Sequence, residues 1–267
     1  MKRILALLIG VCLLLCGCGA KAGSDDTAAT PDSASVQSVT EATEPPTEAP
    51  TEPPSDAYLG RARFSTILTS ALTAKKASIA VEEIYQYPEL PTGCESVALT
   101  MALNSMGYQL KKTDIASDYL IYGNYVDGFL GNPFSSGGAG ILSLGLVRTV
   151  NKFVNETGAK VYARDTTGKS MTDLYKFISK GCPVVIWTTY YMNSPVFDGG
   201  VTYNGEFYRW YNNEHCVMLC GYDLNDKTVT IADPLRGVVT VDAARFEEIN
   251  TSIGGYSMVL IDTSDPT

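Results

Sequence analysis

The sequence predicts an α+β domain in which helices come first and mostly antiparallel strands follow. Apolar residues have helical spacing across much of residues 62–180, whereas residues 183–261 contain short apolar runs that are typical of strands. This segregation of helices and strands is the order of an α+β fold rather than of alternating α/β units. The region after residue 56 has about 210 residues, enough for one domain with a single hydrophobic core.

Five segments in the first part of the domain have the apolar spacing or the end signals of helices. Ser170 is a typical N-cap residue for the last of them, and Gly107 and Gly158 supply helix stops. The predicted helices span residues 62–75, 94–106, 113–120, 141–156 and 171–180. We also expect a short strand at residues 78–81 and a glycine-rich loop at residues 123–140, whose length favours a functional role.

Six runs in the second part have the composition of strands. They span residues 183–190, 206–211, 215–222, 227–232, 237–241 and 256–261, and a short helix is expected at residues 243–249. The third and fourth strands form a predicted hairpin in which the numbers of paired residues sum to 449 or 450. His215 then lies opposite residue 234 or 235, which brings Asp233 within reach of its ring.

Residues 1–18 have the features of an export signal with a lipid attachment site. A basic start precedes an apolar run over residues 4–15 that is too short to span a membrane. The run leads into Cys16-Gly17-Cys18, which resembles a bacterial lipoprotein box with Cys18 as the lipidated residue, because only Cys18 follows a small residue. We therefore expect acyl chains on Cys18 to anchor the chain at the extracytoplasmic face of the cell membrane. An ordinary signal peptide with incidental cysteines is the alternative.

Residues 19–56 are predicted to be a disordered tether. They are rich in Thr, Glu and Pro, with three short repeats between residues 43 and 54, and they offer nothing from which to build a core. Eight acidic residues and one lysine give this segment a net charge of −7; with +2 in the leader and −9 overall, the domain at residues 57–267 carries −4. A mildly acidic domain without basic clusters argues against nucleic acid as a partner. We expect a monomer.

His215 is the only histidine, so imidazole chemistry near neutral pH depends on it. Cys94 stands at the start of a predicted helix, where the helix dipole and free backbone N–H groups are expected to lower the pKa of its thiol. A cysteine and a distant histidine can form a nucleophile–base pair after folding. Each also has a structural alternative, since Cys94 could be a small buried residue and His215 a hydrogen-bonded core residue. The remaining domain cysteines are expected to be free buried thiols: Cys182, Cys216 and Cys220.

Two further residues are candidates for supporting roles. Asp233 could fix the tautomer of the imidazole, although an aspartate before Pro234 is also common in turns. Gln86, upstream of Cys94, could donate a hydrogen bond to an oxyanion, although an ordinary loop glutamine is the alternative. One histidine and dispersed cysteines offer no ligand cluster, so no metal or other cofactor is expected.

These candidates follow one another as Gln, Cys, His and Asp, which is the order found in papain-like cysteine peptidases. The surrounding sequence resembles the C39-like branch of the double-glycine, bacteriocin-processing cysteine peptidases over roughly residues 78–262. The matching segments are Pro88–Met101, Gly131–Phe134, Pro183–Trp187, His215–Asp223 and Asp233–Pro234. The resemblance implies a papain-like fold, in which N-terminal helices pack on a mostly antiparallel sheet.

The resemblance also implies Cys94 as nucleophile, His215 as base, Asp233 as orienting residue and Gln86 as oxyanion donor. We therefore expect an extracellular, lipid-anchored cysteine peptidase with a peptide or protein substrate. The glycine-rich loop and residues 193–208 are expected to flank the substrate cleft. Two alternatives remain open: an amidase or acyltransferase that acts on cell-wall peptides with the same residues, and an inactive papain-like module that binds surface peptides or glycans.

Overall fold

The computed structural model describes residues 55–264. The predicted signal peptide, the lipidation site at Cys18 and the tether up to residue 54 lie outside these residues. The described part begins with helix α1 (Asp56–Thr69), whose first turn is capped by the side chain of Ser55, which accepts from Tyr58 N–H. Ser55 and Asp56, which the prediction assigns to the tether, thus belong to the folded domain. In this part of the chain none of the helices is both long and apolar enough to cross a bilayer.

The centre of the fold is a seven-stranded, fully antiparallel sheet. Its strands are β1 (Lys76–Ser78), β2 (Val161–Asp165), β3 (Val184–Thr189), β6 (Glu214–Asp223), β7 (Thr228–Asp233), β8 (Gly237–Asp242) and β9 (Ser257–Asp262). Six of them lie in the order β2-β9-β3-β6-β7-β8, and β1 pairs with the far end of β6. A separate two-stranded hairpin consists of β4 (Phe197–Tyr203) and β5 (Glu206–Tyr211).

Helices cover both faces of this sheet, because alternate residues of the central strands point to opposite sides. On one face, Cys216 and Met218 of β6 pack with α2 (Cys94–Ser105) and α3 (Ser143–Thr157). The other face packs against α1, α4 (Met171–Ile178) and α5 (Ala243–Ser252). The α2 helix is buried along most of its length, so that its N-terminus is fixed against the start of β6.

Most predicted elements are present, and the deviations have local causes. The first helix spans Asp56–Thr69 instead of residues 62–75, because Ser55 provides an earlier cap and Ser70 takes an extended conformation. The predicted strand 78–81 occurs at Lys76–Ser78. Residues 113–120 form a short π-helix at Ile115–Tyr119.

Two strands have no counterpart in the prediction. The edge strand β2 is short and ends in the polar residues Arg164 and Asp165, so its composition resembles that of a loop. Strand β4 contains Gly199 and Gly200, which weaken a strand pattern, and it pairs with β5. Strand β2 pairs with β9, which is distant in sequence, and β4 pairs with β5. The periodicity of a single segment does not reveal such a partner.

Candidate active site

Cys94 is the first residue of α2, as predicted, and it follows a compact loop over residues 88–93. Within this loop the N–H of Gly93 donates to the carbonyl of Leu90. Gly93 also packs so closely on Leu90 that an added Cβ would lie 2.9 Å from the side chain of Leu90. The hydroxyl of Thr92 donates to the carbonyl of Ser135, which ties this loop to the glycine-rich segment. The position of Cys94 is therefore fixed from two sides.

The thiol of Cys94 does not have the lowered pKa that its place at a helix start predicts. Burial raises the pKa of Cys94 well above its usual value, and the neighbouring carboxyl of Glu95 raises it further. The sulfur lies 3.4 Å from Glu95 Oε2, to which the thiol donates. The backbone N–H of Glu95, one of the free N–H groups at the helix start, lowers the pKa of the Glu95 carboxyl. This N–H group therefore stabilises the carboxylate of Glu95 rather than the thiolate of Cys94. The prediction for the pKa of Cys94 is therefore wrong.

His215 and Asp233 form a hydrogen-bonded pair in the interior, as the hairpin register predicts. Strands β6 and β7 pair with residue numbers that sum to 451 near the turn and, after a bulge, to 450 at Met218 and Ala232. Asp233 then lies diagonally across from His215 on the same face of the sheet. His215 Nε2 is 2.7 Å from Asp233 Oδ1, and each residue is 1% exposed.

Asp233 is held by two more donors besides the imidazole. The N–H of Leu235 donates to Oδ1 over 2.8 Å, and Nε of Arg236 donates to Oδ2 over 2.6 Å. Burial by itself would raise the pKa of Asp233. The hydrogen bond and the charge of His215, together with the hydrogen bonds from Leu235 and Arg236, outweigh burial and lower the pKa to about 2. Asp233 is therefore an ionised carboxylate inside the protein at neutral pH.

A strained turn after β3 covers this pair. Tyr191 and Met192 have φ values of 58° and 59°, in the left-handed region that residues other than glycine rarely adopt. The ring of Tyr190 lies 5.0 Å from that of His215, and the guanidinium of Arg236 lies 5.5 Å from the ring of Tyr191. Backbone strain of this kind is found where surrounding contacts fix a functional arrangement.

The structure brings Cys94 to the strand that carries His215. The backbone N–H of Cys216, the residue after His215, lies near the thiol and by itself lowers the pKa of Cys94. Among residues 55–264, the side-chain partner of the thiol is Glu95, and Nδ1 of His215 is buried without a hydrogen-bond partner. Nδ1 is also the ring nitrogen that does not contact Asp233, so it is the one available to accept a proton.

Gln86 lies between the loop before Cys94 and the turn after Asp233. Its backbone N–H donates to the carbonyl of Pro234, and its side-chain Nε2 donates to the carbonyl of Pro91 over 2.9 Å. The residue is buried and is absent from the walls of the cleft next to Cys94. Its contacts give Gln86 a place in the frame of the site, and its predicted role as an oxyanion donor stays a prediction.

A cleft of about 380 Å³ opens beside Cys94. One wall comes from the glycine-rich loop, as expected. From the expected segment 193–208 only Asp198 lines the cleft; the rest of that wall comes from residues 210–214. The wall residues are Tyr87, Pro91, Thr92, Cys94, Glu95, Ser136, Gly138, Ala139, Gly140, Tyr190, Asp198, Trp210, Tyr211, Asn212 and Glu214. The volume lies in the range of small-ligand pockets.

Two carboxyl groups in this cleft were not identified as site residues from the sequence. Burial raises the pKa of Glu95 to about 7, and burial together with the nearby Glu95 raises that of Glu214 to about 8. The signal was present, because these glutamates directly follow Cys94 and directly precede His215. Their meaning depends on the fold, since only the contact between α2 and β6 places both next to the thiol.

All four cysteines of the described domain, Cys94, Cys182, Cys216 and Cys220, are free and buried, which confirms the thiol prediction. Nothing else in the cleft wall is a nucleophile with a comparable position at a helix start. The cleft wall therefore presents one thiol and three acidic side chains. His215 and Asp233 form a buried pair outside this wall, and neither makes a hydrogen bond with Cys94.

Comparisons with known proteins identify the family and the fold of this chain. The Peptidase_C39 like family matches residues 78–258. YvpB of Bacillus subtilis (strain 168), an uncharacterized protein, is 31% identical over 202 residues, which cover 70% of this chain and 76% of YvpB. A crystal structure from Bacillus anthracis that is described as a C39-like peptidase has 31% identity and a TM-score of 0.61, and the match covers 70% of this chain and 98% of that one.

These matches confirm the predicted fold class, an α+β papain-like fold with helices packed on a mostly antiparallel sheet. They also confirm the predicted resemblance to C39-like peptidases. The family model matches residues 78–258, which nearly coincides with the range 78–262 over which the resemblance was seen. The chain belongs to the Peptidase_C39 like family and has a cysteine-peptidase fold.

Proposed function

We propose that this chain is a cysteine peptidase in which Cys94 attacks the peptide carbonyl, His215 transfers protons and Asp233 orients the imidazole. The observation that carries the proposal is the buried hydrogen-bonded pair of His215 and Asp233, with His215 at the start of β6, the strand against which the helix that begins at Cys94 packs. An ionised carboxylate in the interior is costly unless it is paired, and Asp233 is paired with His215 and Arg236.

In the proposed reaction, the Cys94 proton moves from its contact with Glu95 to Nδ1 of His215. The thiolate then adds to the substrate carbonyl, and the imidazolium protonates the leaving amine as the C–N bond breaks. This leaves a thioester on Cys94. His215 next takes a proton from water while the resulting hydroxide adds to the thioester carbonyl. The C–S bond then breaks, the acid product leaves, and the imidazolium returns its proton to the Cys94 thiolate. The N–H groups of the first turn of α2 and the side chain of Gln86 are the proposed donors to the oxyanion.

The test is hydrolysis of a proteome-derived peptide library by the purified chain under reducing conditions. Cys94→Ser should abolish cleavage, whereas Cys182→Ser, which removes a buried thiol on the other side of the sheet, should not. Cleavage that persists in Cys94→Ser would contradict the proposal. Turnover of cell-wall peptide fragments, with no cleavage of the library, would instead favour an amidase or acyltransferase with the same nucleophile.

We further propose that the chain is exported and held at the membrane by lipid on Cys18, which is an inference from the sequence motif alone. In a bacterial host the wild-type chain should incorporate labelled palmitate and sediment with membranes, and Cys18→Ser should do neither. Cys16→Ser is the matched control and should behave like wild type. Equal labelling of wild type and Cys18→Ser would contradict the assignment.

A further inference from the structure

The side chains around the cleft beside Cys94 include three acids and, among the described residues, no Lys, Arg or His. Glu95 is 3% exposed; its Oε2 accepts from the thiol of Cys94, and its Oε1 accepts from the backbone N–H of Ile141 over 3.0 Å. Glu214 accepts from the hydroxyl of Tyr125 on Oε2, while its Oε1 has no hydrogen-bond partner within residues 55–264. Asp198 lies on the exposed strand β4 at the edge of the cleft.

No positive charge in the described structure neutralises these carboxyl groups. Each ion pair formed by residues 55–264 involves other acids, and neither Glu95 nor Glu214 takes part in one. The pKa values of the buried Glu95 and the half-buried Glu214 are both raised, because a desolvated carboxylate without a cation is costly. A ligand that carries a positive charge would remove this cost.

The other walls of the cleft fit an organic cation better than a metal ion. Within the described residues no group of three or more His, Cys, Asp or Glu side chains has an arrangement that could hold a metal. Aromatic residues line the cleft instead, including Tyr190 and Trp210, whose faces attract ammonium and guanidinium groups.

Contacts behind the cleft hold this wall in place. The ring of Tyr125 stacks on Trp210 with centroids 5.5 Å apart, and its hydroxyl lies 2.5 Å from Glu214. Tyr125, which makes the contacts with Trp210 and Glu214, has φ = 83°, a strained value for a residue other than glycine. One buried residue thus positions an aromatic face and a carboxyl group next to each other.

We propose that this cleft selects substrates with an ammonium or guanidinium group close to the scissile bond, and that Glu214 is the main residue that binds it. The inference rests on the proposed peptidase function and adds a substrate class to it. It also explains how a thiolate could form beside two carboxyl groups, since the substrate's own positive charge would offset theirs. The cation could be a Lys or Arg side chain or a free α-amino group, and the test separates these sources.

The experiment uses one peptide that the wild-type chain cleaves, varied at single positions near the cut. The matched pairs are Lys against Nε-acetyl-Lys, which keeps the alkyl chain, adds an acetyl group and removes the charge, and a free against an acetylated N-terminus. We expect kcat/KM to be at least about tenfold higher for the charged member of one pair, as for hydrogen bonds to charged groups. The pair that shows the difference identifies the source of the cation.

Glu214→Gln should reduce this ratio to about threefold or less, because the amide can still accept from Tyr125 but carries no charge. Asp198→Asn is a second variant on an exposed strand and should reduce the ratio by a smaller factor without affecting the core. Glu156→Gln removes an exposed acid at the end of α3, outside the cleft, and should leave the ratio at the wild-type value.

Binding to Cys94→Ser makes the two proposals separable. Calorimetry with uncut peptides should show the same preference for the charged member, whether or not wild type cleaves it. Charge-selective binding without any Cys94-dependent cleavage would support the cation site and contradict the peptidase. Two results would overturn the cation site without affecting the proposed peptidase function. One is equal cleavage and binding of the charged and uncharged peptides; the other is a kcat/KM ratio between them that is the same in Glu214→Gln as in wild type.

Discussion

Asp233→Asn should make the stability of the domain less sensitive to acid, because it removes one ionised carboxylate with three hydrogen-bond donors. The pKa of Asp233 is about 2 in the folded protein against an ordinary value of 3.8. At 1.36 kcal/mol for each pH unit, this difference corresponds to about 2.4 kcal/mol of the free energy of unfolding. In the asparagine variant, Nδ2 would face the donor Nε of Arg236, so that contact cannot be replaced.

The sign follows from the direction of the pKa change. Asp233 binds its proton less tightly in the folded than in the unfolded protein, so it stabilises the fold fully above about pH 4. The contribution is lost as the pH falls through about 2, and roughly half of it is already gone at pH 3. Because groups that do not contact Asp233 titrate in both proteins, the difference in stability between wild type and variant reports on this carboxylate and its direct partner His215.

The assay is urea unfolding of wild type and Asp233→Asn at a series of pH values between 7 and 3. We expect the variant to be less stable than wild type at pH 7. The difference in their free energies of unfolding should narrow by about 1 kcal/mol between pH 5 and pH 3. Repeating the comparison in a His215→Gln background should reduce the narrowing, since His215 supplies the largest favourable contribution. A gap that is constant over this pH range would refute the reasoning.

Three further predictions use other contacts of the site. Glu95→Gln should increase the rate of Cys94 alkylation by iodoacetamide at pH 7.5 severalfold, because the carboxylate that disfavours the thiolate is gone; an unchanged or slower rate would contradict this. Gly140→Ala should lower the free energy of unfolding in urea by about 1–3 kcal/mol, because φ is +119° and the new Cβ would lie 2.6 Å from Glu95 Oε1; wild-type stability would contradict the contact. Arg236→Met should move the onset of acid unfolding, followed by circular dichroism, to higher pH, because Asp233 loses a charged donor; an onset at the wild-type pH would assign Arg236 no part in holding Asp233.

The sequence could predict those parts of the site that depend on local rules. Gly93 and the prolines before it end one irregular segment, and the apolar spacing after Cys94 starts a helix, so the cysteine was placed correctly at the helix start. The hairpin register brought His215 and Asp233 together because a short turn fixes strand pairing. The acidic neighbours of these residues were visible in the sequence, but nothing local shows that a helix start and a strand start meet.

The sequence by itself determined the α+β order, the helix that presents Cys94 and the pairing of His215 with Asp233, because periodicity, breakers and hairpin register act over a few residues. Only the tertiary structure decided the electrostatics of Cys94. A helix start favours a thiolate in isolation, whereas burial and the carboxyl of Glu95 disfavour it in the folded domain. Desolvation and charge depend on every group that the fold brings within a few ångströms, so the thiol's pKa follows from packing and not from its place along the chain.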